Sequence, residues 1–208
     1  MTDAILVGCA DHGVEAPSTH VARSSASCGV PLAAAVAAGI ASVGTNHGGA
    51  GEACARLLQR GVLSGETNRM RIADSLLDEC LAGGKNLPGY GHRIYKDADP
   101  RATFLLGLAE DLALSGAHSA LAQTLETQLE LRKGKRLVLN VDGAQAAILS
   151  DLGVAWNRVQ SFFIIGRTLG LCTQVLEELE SGQALAYIKA SQPKAEYAGP
   201  DQREWRAT

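Results

Sequence analysis

"LPGYGHRIYKDADPRATF", residues 87–104, is the stretch whose pattern decides most about fold and chemistry. His92 lies in a glycine-rich loop and is followed by several cations. Asp99 and Pro100 then precede an apolar run, and these residue types are typical of the N-cap and first turn of a helix. Arg101 therefore lies at a predicted helix start, nine residues after His92. Because no second histidine or cysteine lies nearby, the stretch does not predict a metal site.

The composition favours packed helices over other architectures. The chain has 208 residues, of which 46% are hydrophobic but only 4% aromatic, so its core must be built mainly from Ala, Leu, Val and Ile. The formal net charge is -3, and neither sign of charge dominates. This balance gives no support for nucleic acid or an anionic membrane as a partner.

The cysteines and the apolar runs predict a cytoplasmic location. The five cysteines are scattered and form no C-x-x-C pair, which is typical of reduced, buried thiols. No basic segment precedes a hydrophobic one near the start, and no run of 18 apolar residues occurs. We therefore expect no signal peptide and no membrane span.

Helical periodicity recurs along the chain, whereas strand patterns are almost absent. Residues 69–84 predict a helix that stops at Gly83-Gly84, leucines spaced by four over 121–129 line another, and residues 159–182 predict a long helix that ends at Gly182. The only β-like run is "RLVLNV", residues 136–141. The fold class is therefore predicted to be all-α.

Two segments point to a subunit partner. The alanine-rich helix predicted over residues 31–43 carries small residues on every face, which indicates burial all round. A subunit interface is the favoured explanation, and a central position in a monomer is the alternative. The polar tail, residues 191–208, is expected to wrap a surface or a partner subunit.

Polar residues whose side chains could act in catalysis or binding stand out elsewhere against this apolar background. They are His12 and His20 in "ADHGVEAPSTH", His47 in "GTNHGGAGEA", Asp142 in "LNVDGAQAAIL" and Arg167 in "FFIIGRTLG".

Each of these residues also has a purely structural interpretation. Taken alone, Asp142 is best explained as a helix N-cap. His12 fits a loop histidine with satisfied hydrogen bonds, and His47 fits a cap of the helix that follows it. Arg167 fits a residue that lays its stem along the core and pairs with a nearby carboxylate.

Together, these segments resemble the citrate synthase family. "DHGVEAPST", "NHGGAGEA", "PGYGHRIYKDADPRA", "NVDGAQAAIL", "FFIIGRTLG" and "PKAEYAGP" occur in the family's order and spacing, from about Ala10 to about Trp205. The resemblance implies an enzyme that makes or cleaves a carbon–carbon bond between an acyl-CoA, such as acetyl-CoA, and a 2-oxo acid, such as oxaloacetate. It implies a coenzyme A thioester as substrate and no metal.

The resemblance also implies three catalytic residues. Asp142 corresponds to the general base that takes a proton from the carbon next to the thioester. Such a proton is only weakly acidic, so the enol or enolate must be stabilised as it forms. His47 corresponds to the donor to the thioester oxygen, and the positive end of a helix dipole would keep its ring neutral. His92 corresponds to the donor that polarises the keto carbonyl.

Binding roles follow from the same resemblance. Arg101 and Arg167 correspond to arginines that bind substrate carboxylates, for which the planar guanidinium is suited, and His12 corresponds to a further carboxylate contact. The coenzyme A contacts implied are Leu87, Pro88, Gly89, Tyr90 and Gly91 for the adenine, and Lys96 for the phosphates, with Lys133, Lys135 and Arg136 as weaker candidates.

The implied architecture is an all-α, two-lobed homodimer that is N-terminally shortened, as in the short lyase-type members of the family. Residues 1–50 and 152–208 would form the large lobe, and residues 51–151 the small lobe. Gln192 stands where the family commonly has an arginine donated across the dimer, which removes one charge-assisted substrate contact.

The direction of the reaction stays open at this point. The family's citrate-cleaving modules lack the histidine of the "HGG" block, so His47 favours synthase-like chemistry. The alternative to an enzyme is a non-catalytic coenzyme A-binding homologue with a regulatory or scaffolding role. Retention of His47, His92 and Asp142 argues against it, whereas the shortened N-terminus and Gln192 argue for it.

Overall fold

The computed structural model describes residues 1–84, 86–182 and 184, and this part of the chain is built from helices without a β-sheet. The all-α prediction is confirmed. The helices are α1 Thr2–Ala10, α2 Pro17–Ser27, α3 Leu32–Ala41, α4 Ala50–Val62, α5 Arg69–Ala82, α6 Pro100–Asp111, α7 Ala117–Lys133, α8 Val141–Asp151 and α9 Val159–Ser181, with a 3-10 turn at Trp156–Arg158.

Several helix ends follow the predicted chemistry. Asp99 caps α6 by accepting a hydrogen bond from the Arg101 amide, and Pro100 is the first helical residue. The C-terminal cap of α5 is Gly83. Gly182 ends α9 with φ +66°, a left-handed conformation that glycine adopts without steric cost. The N-cap of α8, however, is Asn140, so the structural interpretation of Asp142 as a helix N-cap is wrong.

The helices pack in two groups. Helices α1, α2, α3 and α9 pack against one another, and so do α4 to α8. The second group contains the larger hydrophobic core, which Ile5 of α1 and Val159 of α9 also join. A smaller core lies between α2, α3 and α9. The lobe boundaries at 50/51 and 151/152 stay predictions.

The helix that is buried on nearly every side is α8, where Val141 and every residue from 143 to 150 are buried. In this chain α3 buries Ala35, Val36 and Gly39 against its neighbours. Its opposite face leaves four alanines exposed, namely Ala33, Ala34, Ala37 and Ala41. An apolar exposed face is what the interface explanation of α3 requires, and that explanation stays a prediction.

The β-like run at residues 136–141 forms no strand. Its middle lies alongside the glycine loop instead, where the Gly91 amide donates to the Val138 carbonyl at 2.7 Å and the Asn140 amide donates to the Gly89 carbonyl at 3.0 Å. This short pairing holds the loop of His92 next to the start of α8.

One helical stretch, Trp156–Ser181, is long and apolar enough by length and composition to cross a membrane, a test that the core helix of a soluble protein also passes. Arg167 lies buried in the middle of this stretch. Cys9 and Cys54 are buried thiols. Cys28 is exposed, so the prediction of buried thiols is wrong for that residue. The cytoplasmic location stays a prediction.

Candidate active site

A cavity of about 420 Å³ lies between the two helix groups. Its walls come from the α1–α2 connection, the turn before α4, the loop before α6, the first turn of α8 and the middle of α9. All six residues predicted to act in catalysis or substrate binding line it, namely His12, His47, His92, Arg101, Asp142 and Arg167.

His47 is held by Ser18 at the start of α2. The Ser18 amide donates to Nε2 of His47 at 3.3 Å, and the Ser18 hydroxyl lies 2.9 Å from the same atom. Because an amide can only donate, Nε2 is the acceptor and the neutral ring carries its proton on Nδ1. Burial, and then the Arg167 charge, lowers the pKa of His47.

The helix end that faces His47 differs from the predicted one. The residue at the N-cap of α4 is Gly49, so the interpretation of His47 as a cap of its own helix is wrong. The ring instead accepts a hydrogen bond from the Ser18 amide in the first turn of α2, which begins at Pro17. The positive end of the α2 dipole therefore lies against the ring and favours its neutral form.

His92 has the opposite tautomer. Its Nδ1 accepts from the amides of Ile94 at 3.1 Å and Tyr95 at 3.2 Å, so the proton of the neutral ring is on Nε2. Nε2 lies 3.3 Å from Nη2 of Arg101. Both groups are donors, so an acceptor oxygen placed between them would receive a hydrogen bond from each. Burial lowers the pKa of His92.

Arg101 is fixed by a buried carboxylate. Oδ1 of Asp99 accepts from Nε of Arg101 at 3.0 Å, and Oδ2 accepts from Nη2 at 2.9 Å. Burial alone would raise the pKa of Asp99, but the hydrogen bonds and charge of Arg101 outweigh it, and the pKa is lowered. The Nη1 edge points towards His12, whose Nδ1 is 3.5 Å away. The other edge of the guanidinium therefore faces the cavity.

Arg167 is a buried cation with only neutral hydrogen-bond partners. It is 3% exposed, and its Nε donates to the Cys9 carbonyl at 3.0 Å and Nη1 to the Ser18 hydroxyl at 3.2 Å. Among the described residues no carboxylate lies within ion-pair distance, so the pairing interpretation finds no support there. A buried, unpaired guanidinium beside a cavity favours binding of an anion.

Asp142 occupies the second position of α8, directly after Val141. The Asn140 side chain accepts from the amides of Asp142 at 3.0 Å and Gly143 at 3.1 Å, which leaves the Asp142 carboxylate free of capping. Burial raises the pKa of this carboxyl, and the nearby Arg101 and Arg167 charges oppose the rise. A carboxylate with a raised pKa is a stronger base than one in water.

The predicted coenzyme A residues are divided between core and surface. Leu87 is 5% exposed and belongs to the larger core. The hydroxyl of Tyr90 donates to the Ala122 carbonyl at 2.8 Å, inside the protein. Gly91 lines the cavity, and the ammonium of Lys96 donates to the His92 carbonyl at 2.9 Å. Leu87 and Tyr90 therefore shape this segment through packing.

Two glycines let this loop touch α8. A Cβ on Gly143 would lie 2.5 Å from the Gly89 carbonyl oxygen, and a Cβ on Gly89 would lie 2.8 Å from the Gly143 Cα. Gly89 also has φ +84°, in the left-handed region. The loop backbone can approach Asp142 this closely because neither residue has a side chain.

The structure also reveals site residues that the sequence did not suggest. Ser18 is fully buried and bridges His47 to Arg167. Further lining residues include Glu15 and Arg93. Ser18 and Arg167 are 149 positions apart, and a lone serine gives no local signal for such a contact. Among the described residues no group of three or more His, Cys, Asp or Glu side chains could hold a metal ion.

Comparison with known proteins agrees with this arrangement. Residues 1–189 match the family described as citrate synthase, C-terminal domain. The citrate synthase of Helicobacter pylori is 35% identical over 208 residues, which are 95% of this chain and 46% of that protein. The chain spans about half the length of the curated relatives it matches.

Solved structures show the same fold. The citryl-CoA lyase of Hydrogenobacter thermophilus superposes with a TM-score of 0.82 at 42% identity, covering 98% of this chain and 78% of that one. The citrate synthase of Thermoplasma acidophilum, solved with carboxymethyl coenzyme A and oxaloacetate, superposes with a TM-score of 0.72 at 26% identity, covering 99% and 54%. The chain belongs to the citrate synthase family.

Proposed function

We propose that this protein makes or cleaves the carbon–carbon bond between an acyl-CoA, such as acetyl-CoA, and a 2-oxo acid, such as oxaloacetate, through an enol or enolate. The observation that carries the proposal is one cavity that combines a carboxylate base, two neutral histidines of opposite tautomer and an unpaired buried arginine. This combination fits a reaction in which negative charge develops first on the thioester oxygen and then on the keto oxygen, because each histidine can donate a hydrogen bond to one of them.

In the first half of the condensation, the Asp142 carboxylate takes a proton from the carbon next to the thioester carbonyl. The electrons move to the thioester oxygen, where the Nδ1–H of His47 donates a hydrogen bond. Donors placed in advance for developing oxyanions are worth roughly 10²- to 10³-fold in rate each. A neutral imidazole serves here because the lowered pKa of His47 keeps its ring unprotonated at neutral pH.

In the second half, the enol carbon attacks the keto carbon of the 2-oxo acid. The keto oxygen becomes an oxyanion that accepts a hydrogen bond from Nε2–H of His92, while Arg101 and Arg167 hold the carboxylates. The oxyanion takes up one proton from solvent to form the hydroxyl, and Asp142 releases to solvent the proton that it removed in the first half. His12, beside Nη1 of Arg101, provides a further contact. The product is a citryl-CoA-like thioester.

Cleavage is the same sequence in reverse, and the same residues lower the barrier in both directions. The net direction depends on whether the thioester is removed by hydrolysis or supplied from outside. The likeness to the citryl-CoA lyase of Hydrogenobacter thermophilus makes cleavage a direction to assay first.

The proposal is tested by assaying purified protein in both directions. Acyl-CoA and 2-oxo acid pairs are supplied for condensation and citryl-CoA for cleavage, with products identified by mass spectrometry. We expect turnover in at least one direction. Absence of turnover in both, from folded protein that still binds coenzyme A, would overturn the proposal.

The coenzyme A thioester is proposed to bind along residues 87–91. Because the side chains of Leu87 and Tyr90 are turned inward, the contacts would come from the backbone at Pro88 and Gly91 and from Lys96 once it leaves the His92 carbonyl. The basic candidates Lys133, Lys135 and Arg136 lie exposed just before the segment that pairs with this loop.

A homodimer is proposed, with the exposed alanine face of α3 at its interface. Small side chains allow two helices to approach closely, and this face contains no charge that would be desolvated. Gln192 and the tail, which is expected to wrap a surface or a partner subunit, lie outside the described residues.

A further inference from the structure

The carboxylate of Asp99 does more than cap its own helix. Its side chain is 0% exposed, and its two oxygens accept four hydrogen bonds. Three come from Arg101, through its amide, Nε and Nη2, and the fourth comes from the amide of Val141 at 3.0 Å. Val141 is the first residue of α8 and precedes Asp142. One buried group therefore touches both a substrate-binding arginine and the helix that carries the proposed base.

The geometry leaves Arg101 free for a ligand. A guanidinium has five N–H donors, of which Asp99 accepts one from Nε and one from Nη2. The three remaining donors are on the side of His12 and His92. Asp99 thus fixes the plane of the guanidinium by one edge and presents the other edge to the cavity.

The same carboxylate sets the distance between two elements. Asp99 begins α6, and the amide that it binds begins α8, 42 positions later in the chain. Without this bond the Val141 amide would be a buried donor without an acceptor, which is costly. The bond therefore ties the first turn of α8 to the first turn of α6, which carries Arg101 and follows the loop of His92.

From these contacts we infer that Asp99 is a positioning residue, which aligns Arg101 for the 2-oxo acid carboxylate and sets the position of Asp142 relative to it. The inference rests on the proposed function for the identity of the ligand, but not for the alignment of the two residues. Asparagine at this position would turn an NH₂ group towards Arg101 or Val141, so it could not reproduce all four bonds.

The test compares Asp99→Asn with Asp151→Asn, a matched control. Asp151 is a second enclosed capping carboxylate, with a side chain 4% exposed, which accepts from the amides of Gly116, His118 and Ser119 away from the cavity. Both variants lose the negative charge of an enclosed carboxylate at a helix start, but only Asp99→Asn should alter the site. Asp99→Ser is a second variant, because serine still caps α6 but cannot reach Arg101 and Val141 together.

Calorimetry measures the affinities for citrate and for coenzyme A separately. Loss of a charge-assisted contact weakens binding about tenfold to a hundredfold. We expect both Asp99 variants to bind citrate at least about tenfold more weakly, with coenzyme A affinity within about twofold of wild type. Asp151→Asn should change neither affinity. Equal effects of Asp99→Asn and Asp151→Asn on citrate affinity would overturn the inference.

A second readout does not depend on any ligand. The carbon-13 resonance of the Asp142 carboxyl reports its titration, and the negative charge of Asp99 raises the pKa of Asp142 while Arg101 and Arg167 lower it. Removing the Asp99 charge should therefore lower the Asp142 titration midpoint, and Asp151→Asn should leave it unchanged. If wild-type protein binds no citrate, the proposed ligand is wrong, and crystal structures of the variants decide the alignment. An Arg101 guanidinium and a first turn of α8 that keep their wild-type positions in both Asp99 variants would overturn the positioning role.

Discussion

The Arg167 guanidinium is proposed to strengthen citrate binding while it lowers the stability of the folded protein. Its guanidinium is buried beside neutral partners, and an unpaired buried charge costs free energy in the folded state. We predict that Arg167→Met weakens citrate binding at least about tenfold. The melting temperature should stay at or above the wild-type value, because methionine fills much of the space without the charge.

Arg158 provides the control for Arg167, because it is exposed on the 3-10 turn before α9. Arg158→Met should alter neither citrate affinity nor melting temperature. Calorimetry and thermal unfolding on both variants check the prediction. If Arg167→Met melted well below wild type while citrate affinity was unchanged, the arginine would be a structural residue.

The raised pKa of Asp142 should be detectable in the pH dependence of the protein's stability. Burial raises the pKa of its carboxyl, so folding favours the protonated form. That contribution to stability is fully present below the ordinary carboxyl pKa and is lost as pH rises through the raised folded value. At neutral pH the wild type therefore carries the penalty of a buried charge, which Asp142→Asn lacks.

We predict that Asp142→Asn melts at a higher temperature than wild type near neutral pH, with a difference that shrinks as pH falls through the folded pKa of Asp142. Thermal unfolding across this pH range checks it. A helix cap would behave differently, because asparagine caps a helix about as well as aspartate and the substitution would leave the melting temperature nearly unchanged. A variant that melts at the wild-type temperature across this pH range would therefore contradict the penalty of a buried charge at Asp142.

At the scale of elements, the contact between the glycine loop and α8 depends on Gly143. A Cβ there would lie 2.5 Å from the Gly89 carbonyl oxygen and from Leu139 Cδ1, too close for any real contact. Gly143→Ala should therefore destabilise the fold by about 1–3 kcal/mol and push the His92 loop away from Asp142, with loss of turnover. Chemical denaturation and turnover assays measure both effects.

Gly107 is the matched control, since it lies within α6 and a Cβ there would meet nothing within 4 Å. Gly107→Ala should stabilise the protein by about 0.5–1 kcal/mol, because alanine is the better helix former. Similar losses of stability in both variants would mean that the crossing of loop and helix does not explain the glycine at 143.

Local chemistry explains which elements the sequence could predict. Asp99-Pro100 specified the start of α6, and Gly182 specified the end of α9, because caps depend on neighbouring residues. The start of α8 was misassigned since "LNVDG" contains two good capping residues, Asn140 and Asp142, two positions apart. The two residues have nearly equal N-cap propensities, so the contacts of the folded chain determine which of them caps α8.

Contacts between distant segments explain what the sequence could not predict in the site. The resemblance identified six of the residues that line the cavity, but not the tautomers of His47 and His92, which depend on amides of Ser18, Ile94 and Tyr95. It also missed the fourth hydrogen bond of Asp99, which comes from the Val141 amide 42 positions away. No periodicity or short motif encodes such pairs.

At the scale of the whole molecule, the exposed face of α3 is the surface to test for association. We predict that the protein is a dimer at micromolar concentration and that Ala37→Glu, which puts a charge on this face, yields a folded monomer. Ala117→Glu is the control, because Ala117 is exposed in the first turn of α7, where a carboxylate is favourable. Sedimentation velocity distinguishes the species, and a monomeric wild type would contradict the prediction.

The cavity joins both helix groups, so the chemistry requires the two to be held together. His12, His47 and Arg167 come from segments around the first group, whereas His92, Arg101 and Asp142 come from the second. The proposed proton removal by Asp142 is the step that depends on all of this geometry. It is also independent of which direction of the reaction predominates.

The most direct measurement is therefore exchange of the α-protons of acetyl-CoA in deuterium oxide, with a 2-hydroxy or 2-oxo diacid present to fill the carboxylate sites. Wild-type protein should introduce deuterium next to the thioester, as mass spectrometry detects. Asp142→Asn should introduce none above the solvent rate while still binding coenzyme A, because an amide cannot accept the proton. Exchange by Asp142→Asn at the wild-type rate would contradict the assignment of Asp142 as the base.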